Sequence, residues 1–312
     1  MGLARWLWDS CGSLLPEEHW VRVDGHKVHF LQMGAGPELI VLHGLVGTAA
    51  AWMHTLPTLA DQSTVYAVDA LGIGLSDRVP GLDPGLVAQA DRVASFMQEE
   101  NIPSADFLAT SHGGAVALML AARHPVRVRT LVLHAPANPF STLADPAVYF
   151  YQSQLGRWFA RRIPVLSKRM QYLALSQVYG DPRGLEGTLE TYLSSLRVPG
   201  TIDYLLNLLR NWFKDMRALE SVLDRVRGIP TLLLWGDSDR VMSLESGQRL
   251  HGLLSQSELV VLPGIGHLAY EECPRSFAEA VNSFLSRERL GPTLIPGTTD
   301  SPAAGAGPVL MT

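Results

Sequence analysis

Cysteine is scarce in this 312-residue sequence, which contains only Cys11 and Cys273. Two cysteines can form at most one bridge, so a disulfide framework is excluded and the reducing cytoplasm is the expected compartment. An excess of basic charge is also lacking, because the formal net charge is -5 at pH 7. Nucleic-acid binding is therefore not expected, since it requires concentrated positive charge.

Long apolar runs are absent as well. The first fifteen residues are apolar, but Arg5 and Asp9 interrupt them, so a signal peptide is not expected, and no run has the length of a membrane span. We predict that the N-terminal segment 1–19 packs on the protein's own body, with docking of its tryptophans on a membrane surface as the alternative. Residues 291–312 are small, proline-rich and aperiodic, which predicts a disordered tail.

Apolar residues are plentiful, at 47% of the sequence, and can form one large core. Apolar runs that end in a small or polar residue recur as ELIVLHG, VYAVDALG, DFLATS, RTLVLHAP, PTLLLWGDSD and ELVVLPGIGH, with helical stretches between them. An earlier pair of runs is joined by Asp24 and Gly25, a typical hairpin turn. The alternation predicts an α/β fold, a mainly parallel central sheet with helices on both faces, formed by residues 20–136 and 229–290. Functional side chains should gather at the C-terminal ends of its strands.

Residues 137–228 interrupt this alternation and are too many for a loop. Their helical spacing predicts an inserted helical lid. The segment holds twelve of the chain's twenty-four aromatic residues, which we expect to be mostly lid core, with a few lining a pocket beneath it. It also carries a net charge of about +4, which solvated helix faces explain; steering of anionic substrates is the alternative.

A turn at Ser111 is stripped of side-chain bulk. If a strand ends at Ala109 and a helix begins near Gly113, the serine lies on a sharp, strained turn that projects its hydroxyl above the sheet. Small residues at these two positions would let the strand and helix cross closely. The helix also brings its N-terminal amides and positive dipole end beside the serine, where they can stabilise developing negative charge.

This stretch resembles the nucleophile turn of the α/β-hydrolase superfamily, G-x-S-x-G, which is A-T-S-H-G here with Ala109 in place of the first glycine. The resemblance to lid-bearing serine hydrolases extends from residue 20 to about residue 285. It implies that the backbone amide of Leu45, in LIVLHGLVGTAAAW, and that of His112 form an oxyanion hole.

A serine nucleophile needs an imidazole base within about 3 Å. His112 is adjacent in sequence, but its side chain should leave the strained turn in another direction. His267 lies in a glycine-flanked loop after a predicted strand, in VVLPGIGHLAYEECP, which resembles the family's histidine segment. We therefore predict His267 as the base. We expect His43 to brace its loop and His124 to end a helix.

An orienting carboxylate should follow another strand, and LLLWGDSDRVM offers Asp237 and Asp239. The family pattern G-x-x-D implies Asp239, with Asp237 serving a turn or a helix cap. The resulting chain order of serine, aspartate and histidine is that of the family. Asp69 is expected to brace a loop.

Relatives that open epoxides or displace halides use aspartate at the nucleophile position, so Ser111 favours acyl transfer. We predict a carboxylic-ester hydrolase that forms an acyl-enzyme, acts on a small apolar ester and needs no metal or organic cofactor. Carbon-carbon bond hydrolysis, often associated with G-N-S-x-G where this chain has Thr110, remains an alternative, as do perhydrolysis and a non-catalytic ligand receptor. The sequence assigns neither substrate-binding residues nor an oligomeric state.

Overall fold

The computed structural model describes residues 15–166, 169–170, 172 and 189–290. The predicted tail 291–312, Cys11 and the predicted contacts of the first fourteen residues lie outside these residues. The strands are β1 (Glu17–Val23), β2 (His26–Met33), β3 (Glu38–Leu42), β4 (Thr64–Val68), β5 (Ala105–Thr110), β6 (Val128–His134), β7 (Thr231–Gly236) and β8 (Ser257–Leu262). The α-helices are α1 (Leu56–Ala60), α2 (Leu86–Glu99), α3 (His112–Arg123), α4 (Asp145–Gln152), α5 (Gln154–Ala160), α6 (Leu189–Leu196), α7 (Thr201–Glu220), α8 (Leu244–Leu253), α9 (Ala269–Glu272) and α10 (Pro274–Leu290).

The strands form one eight-stranded sheet in the order β1-β2-β4-β3-β5-β6-β7-β8. Strands β3 to β8 run parallel, whereas β2 pairs antiparallel with both β1 and β4. The predicted hairpin is confirmed, because Asp24 and Gly25 both have positive φ, as a two-residue turn between twisted strands requires. Strand β1 begins at Glu17, earlier than the expected Trp20, because Glu17 pairs with Gln32.

Both faces of the sheet are covered, which confirms the predicted fold class. In β3, Ile40 belongs to a core that includes Leu86 of α2, while its neighbour Val41 belongs to a second core that includes Phe277 of α10. Successive residues of a strand point to opposite faces, so the central strands, such as β5 and β7, are buried from both sides, whereas the edge strands β1 and β8 are partly exposed. This burial holds the C-terminal strand ends, and the loops after them, in fixed positions.

The described part of the interval between β6 and β7 is helical and contains α4 to α7. The run around residue 153 has continuous helical spacing, but Ser153 is extended and its Oγ accepts a hydrogen bond from the Gly156 amide, so α5 starts anew. No helix in the described ranges is both long enough and apolar enough to span a membrane.

The expectation that the aromatic residues of the insertion (residues 137–228) are mostly buried is wrong for α4 and α5. Tyr149 is 61% exposed and Trp158 is 55% exposed. Helical spacing predicts which residues share a face of a helix, but it does not say whether that face meets protein or solvent.

Asp215 lies on the buried side of α7, and its Oδ2 has no hydrogen-bond partner among the residues that the structure describes. Burial is the main cause that raises the pKa of Asp215 to about 6. The folded state therefore holds this proton more tightly than the unfolded chain does. Protonated Asp215 therefore stabilises the folded protein at pH values below about 4, the pKa of an aspartate in the unfolded chain. This stabilisation is lost as the pH rises through about 6, the pKa of Asp215 in the folded protein.

We expect Asp215→Asn to raise the free energy of unfolding at pH 8 by roughly 1–3 kcal/mol, because the neutral amide avoids a buried charge. Urea unfolding at pH 8 and pH 4.5 measures the difference, which should shrink at the lower pH. Asp203→Asn, on the exposed side of the same helix, is the matched control and should change stability little. An equal gain at both pH values would contradict the titration of Asp215.

Candidate active site

Ser111 lies between β5 and α3 with φ 52° and ψ -122°, a conformation that costs energy for a residue with a side chain. The turn is held by its backbone: the Ser111 N–H donates to the His134 carbonyl over 3.0 Å, and the Ser111 carbonyl accepts from the amides of Gly114 and Ala137. This arrangement places the serine at the C-terminal edge of the sheet, where it lines a cavity.

Gly113 is required for a different reason than the one predicted. A Cβ at this position would lie 2.5 Å from the His43 carbonyl oxygen and 2.8 Å from that of Leu42. The close approach is therefore between α3 and the end of the neighbouring strand β3, rather than between α3 and its own preceding strand β5. Space for a side chain at Gly113 would have to be made by moving the loop after β3.

We expect Gly113→Ala to destabilise the protein by roughly 1–3 kcal/mol and to lower activity, because the added methyl displaces backbone carbonyls beside the site. Gly252→Ala is the matched control, since Gly252 lies in α8 with nothing near its Cβ position. That variant should gain about 0.5–1 kcal/mol from the higher helix propensity of alanine. Chemical denaturation measures both, and an unchanged stability of Gly113→Ala would contradict the contact.

The two residues predicted to supply the oxyanion hole line the same cavity as Ser111. The loop after β3 turns tightly, with the Gly47 N–H donating to the Gly44 carbonyl, and Leu45 lies inside this turn. His112 is the first residue of α3, where an amide has no partner within the helix. Within the described ranges neither the Leu45 nor the His112 amide donates to a protein acceptor, and both residues line the cavity with Ser111. Two such donors can hold an oxygen that gains negative charge.

His267 contacts the carboxylate predicted from the family pattern. Its Nδ1 lies 2.7 Å from Oδ2 of Asp239, and both side chains are buried. The other carboxylate oxygen of Asp239 accepts hydrogen bonds from the amides of Val241 and Met242. Burial alone would raise the pKa of Asp239, but the charge and hydrogen bond of His267, with the two amides, hold it below its usual value. Asp239 is therefore an ionised partner for the imidazole.

Asp237 has the structural role expected of the second aspartate. It is exposed, and its Oδ1 accepts hydrogen bonds from the Ser238 hydroxyl and the Gly264 amide. It thus ties the loop after β7 to the loop after β8. The structure brings Asp239, and not Asp237, to His267.

The loop that carries His267 is fixed from two sides. The Glu272 carboxylate accepts hydrogen bonds from the amides of Gly266 and Leu268. A Cβ at Gly236 would lie 2.1 Å from the Ile265 carbonyl oxygen, so the loop rests directly on the end of β7. With Nδ1 of His267 directed to Asp239, Nε2 is the nitrogen left to exchange a proton.

Ser111 and His267 line the same cavity, although no hydrogen bond joins them among the described residues. Catalytic hydrogen bonds are often long or poorly aligned before a substrate binds. The His112 ring does not replace His267, because it pairs with no carboxylate in the described part of the chain and burial lowers its pKa to about 4. Its ring centroid lies 6.3 Å from that of Trp212, so it forms part of the cavity wall.

Two other predicted roles agree with the geometry. His43 Nδ1 lies 2.7 Å from the Gly44 carbonyl oxygen, and its Nε2 accepts a hydrogen bond from the Ala70 amide, so this histidine braces its loop. Asp69 accepts hydrogen bonds from His29 and from two backbone amides. His134 was not predicted to lie near the site; its ring is buried, and its centroid lies 6.2 Å from that of His267. Burial lowers the pKa of His134 to about 3, so it is a neutral neighbour.

The cavity has a volume of about 380 Å³ and lies between the strand ends and the insertion. Its described lining consists of Gly44, Leu45, Val46, Gly47, Thr110, Ser111, His112, Ala144, Ala147, Val148, Tyr151, Tyr192, Leu209, Trp212, Val241, Met242, His267, Leu268 and Tyr270. None of these is Lys, Arg, Asp or Glu. The sequence could not assign them, because the spacing of Ala144, Val148 and Tyr151 is equally that of an ordinary core. The described residues also contain no group of three or more His, Cys, Asp and Glu arranged to hold a metal.

A sequence profile of the alpha/beta hydrolase fold matches residues 37–274. The chain is 28% identical over 277 residues to 2-hydroxy-6-oxo-2,4-heptadienoate hydrolase of Pseudomonas putida, covering 86% of this chain and 96% of the relative. It is 24% identical over 305 residues to mouse monoacylglycerol lipase ABHD6, and the match covers 90% of this chain and 88% of the lipase.

Two solved structures illustrate the similarity in three dimensions. A bacterial membrane phospholipase A matches with a TM-score of 0.74 and 26% identity, covering 88% of this chain and 87% of the other. The meta-cleavage product hydrolase CumD matches with a TM-score of 0.71 and 22% identity, and the match covers 86% of this chain and 97% of CumD.

Proposed function

The chain belongs to the α/β-hydrolase family, and from that premise we propose that it is a serine hydrolase of carboxylic esters. In this proposal Ser111 is the nucleophile, His267 the general base and Asp239 the group that orients the imidazole. The observation that carries the proposal is the buried 2.7 Å contact between His267 and Asp239, at a cavity that Ser111 also lines.

The proposed reaction has two acyl-transfer steps. Ser111 Oγ attacks the ester carbonyl carbon and passes its proton to His267 Nε2, while the amides of Leu45 and His112 hold the developing oxyanion. The alcohol leaves with the proton from His267, and an acyl-enzyme remains. Water then attacks the acyl carbon and gives a proton to His267 Nε2. The bond between the acyl carbon and Ser111 Oγ breaks, His267 returns the proton to Oγ, and the acid is released. Ionised Asp239 stabilises the imidazolium in both steps, and this chemistry needs no metal or organic cofactor.

The lining of the cavity supports an uncharged substrate with an apolar acyl chain. A buried carboxylate without a cationic partner is costly, and the described lining residues include no Lys or Arg. The relatives named as a monoacylglycerol lipase and a phospholipase A support the same class of substrate.

A second candidate is hydrolysis of a carbon-carbon bond in a diketone-like acid. Sequence similarity supports it better than it supports the ester, because the Pseudomonas putida relative named as a heptadienoate hydrolase shares 28% identity, against 24% for the lipase. The same three side chains could serve either reaction. No comparable observation supports perhydrolysis or a receptor function. The cytoplasmic location stays a prediction.

Parallel kinetics with both substrate classes test the proposal. We would measure kcat/KM for nitrophenyl esters from acetate to dodecanoate and for 2-hydroxy-6-oxo-2,4-heptadienoate, with the His267→Ala variant as control. We expect an ester of intermediate chain length to exceed the dienoate by at least about tenfold, because only the dienoate brings an anion into the apolar cavity. The reverse ranking would favour the carbon-carbon hydrolase, and tight binding without turnover would favour the receptor.

A further inference from the structure

Helices α4 and α5, together with the residues just before and after them, present an unusual concentration of apolar side chains to solvent. We call this the α4–α5 face. It comprises Leu143, Tyr149, Phe150, Leu155, Trp158 and Val165, which are between 41% and 77% exposed. Singly exposed apolar residues are common on protein surfaces, but a group of six within one short segment marks an interaction surface.

The segment that carries this face is basic, although the whole chain has a net charge of -5. Residues 143–170 contain five Lys and Arg residues and a single acidic residue, Asp145. Arg162 places its guanidinium 4.9 Å from the ring centroid of Trp158, and Arg169 is also exposed. Arg161 is exposed as well, but it pairs with Asp203 of α7. Aromatic rings beside cations are suited to the headgroup region of a bilayer, where rings enter the apolar boundary and arginines meet phosphates.

The opposite side of α4 belongs to the candidate active site. Ala144, Val148 and Tyr151 line the cavity, whereas Tyr149 and Phe150 point to solvent. Ala147 is both exposed and part of the cavity lining. A single helix therefore separates the cavity from the α4–α5 face, so whatever binds this face lies next to the cavity wall.

We propose that the α4–α5 face docks on the surface of an anionic lipid bilayer and there presents lipid esters to the cavity. The second part rests on the proposed function, whereas the docking itself requires no catalysis. Positive charge on this segment of an otherwise negative chain orients the protein with α4 and α5 toward the membrane.

Co-sedimentation with vesicles tests the docking, using the full chain with Ser111→Ala so that no lipid is consumed. We expect vesicles of phosphatidylcholine and phosphatidylglycerol in equal parts to bind at least about tenfold more protein than phosphatidylcholine alone, with weaker binding in 0.5 M salt. Adding Leu155→Ser with Trp158→Ser should reduce binding about tenfold or more. Arg162→Gln with Arg169→Gln should reduce binding to the anionic vesicles but should not change the weak binding to phosphatidylcholine vesicles. Val126→Ser, at a position 84% exposed elsewhere, is the control and should bind as the parent does.

Three results would overturn the docking. The first is absence of binding to anionic vesicles, or equal binding by the parent and the Leu155→Ser, Trp158→Ser variant. The second is loss of binding in a Trp6→Ser, Trp8→Ser variant while the Leu155→Ser, Trp158→Ser variant still binds, which would assign docking to the N-terminal segment. The third is a dimer in analytical ultracentrifugation that the α4–α5 substitutions dissociate, with no vesicle binding.

The proposed function fails separately from the docking. With Ser111 intact, the Leu155→Ser, Trp158→Ser variant should hydrolyse a soluble nitrophenyl ester at the wild-type rate, since neither residue lines the cavity. Vesicle binding by a protein that hydrolyses no ester would contradict the proposed function and leave the docking supported. A loss of soluble-ester hydrolysis in the variant, despite an unchanged Tm, would contradict the assignment of this face to docking alone.

Discussion

Replacing Ser111 with alanine is expected to lower kcat/KM for the preferred ester by on the order of 10⁴- to 10⁶-fold. Alanine keeps the strained turn and the two free amides but removes the oxygen that forms the acyl-enzyme. The residual rate should be that of direct attack by water on a bound ester whose carbonyl oxygen is held by the amides of Leu45 and His112. Steady-state kinetics with nitrophenyl esters measure the loss.

Two further measurements separate loss of the nucleophile from loss of the fold. Fluorophosphonate should label the wild-type protein at Ser111 and leave the alanine variant unlabelled, while the Tm values of the two proteins stay close. Equal rates for wild type and variant would end the assignment of Ser111 as the nucleophile, and labelling of another residue would identify its replacement.

The second large effect is expected at the carboxylate. Asp239→Asn should lower kcat by roughly 10⁴-fold, because an amide neither stabilises the imidazolium nor holds Nε2 of His267 ready to accept a proton. Asp237→Asn is the matched control in the same loop and should change kcat by less than about threefold, since its contacts hold only the loops. Loss of activity in the control alone would reverse the assignment.

Stability offers an independent test of the same carboxylate. The pKa of Asp239 is lowered in the folded state, so its ionisation stabilises the protein above the unfolded pKa of about 4 and ceases to do so as pH falls through the folded value. The difference in unfolding free energy between wild type and Asp239→Asn should therefore shrink in acid. A difference that is constant with pH would contradict an ionised Asp239.

The sheet could be predicted from sequence because the pattern is strong. Each strand from β3 to β7 is an apolar run that ends in, or is followed by, a small or polar residue, and a parallel strand buried on both faces has that composition. The Asp24–Gly25 turn is equally predictable from the sequence, since few residue pairs adopt two positive φ angles. The contact between Asp239 and His267 followed from family spacing, although their side chains are 28 residues apart.

The contacts between distant elements could not be predicted. Gly113 is small because of the carbonyls of Leu42 and His43, which lie at and just after the end of β3, about seventy residues earlier. The exposure of Trp158 and the cavity position of Trp212 depend on how helices of the insertion pack, and helical spacing does not contain that information. Periodicity defines the faces of a helix, and tertiary packing decides which of them is buried.

The backbone of Ser111 has a consequence for anyone who engineers this protein. Its left-handed φ of 52° is a conformation that glycine adopts without cost, so glycine at this position would relieve strain worth about 1–3 kcal/mol. A directed-evolution campaign that rewards heat resistance alone would therefore enrich a robust but inert enzyme. Turnover has to be measured in every round, because thermal stability favours glycine at position 111 whereas catalysis requires serine there.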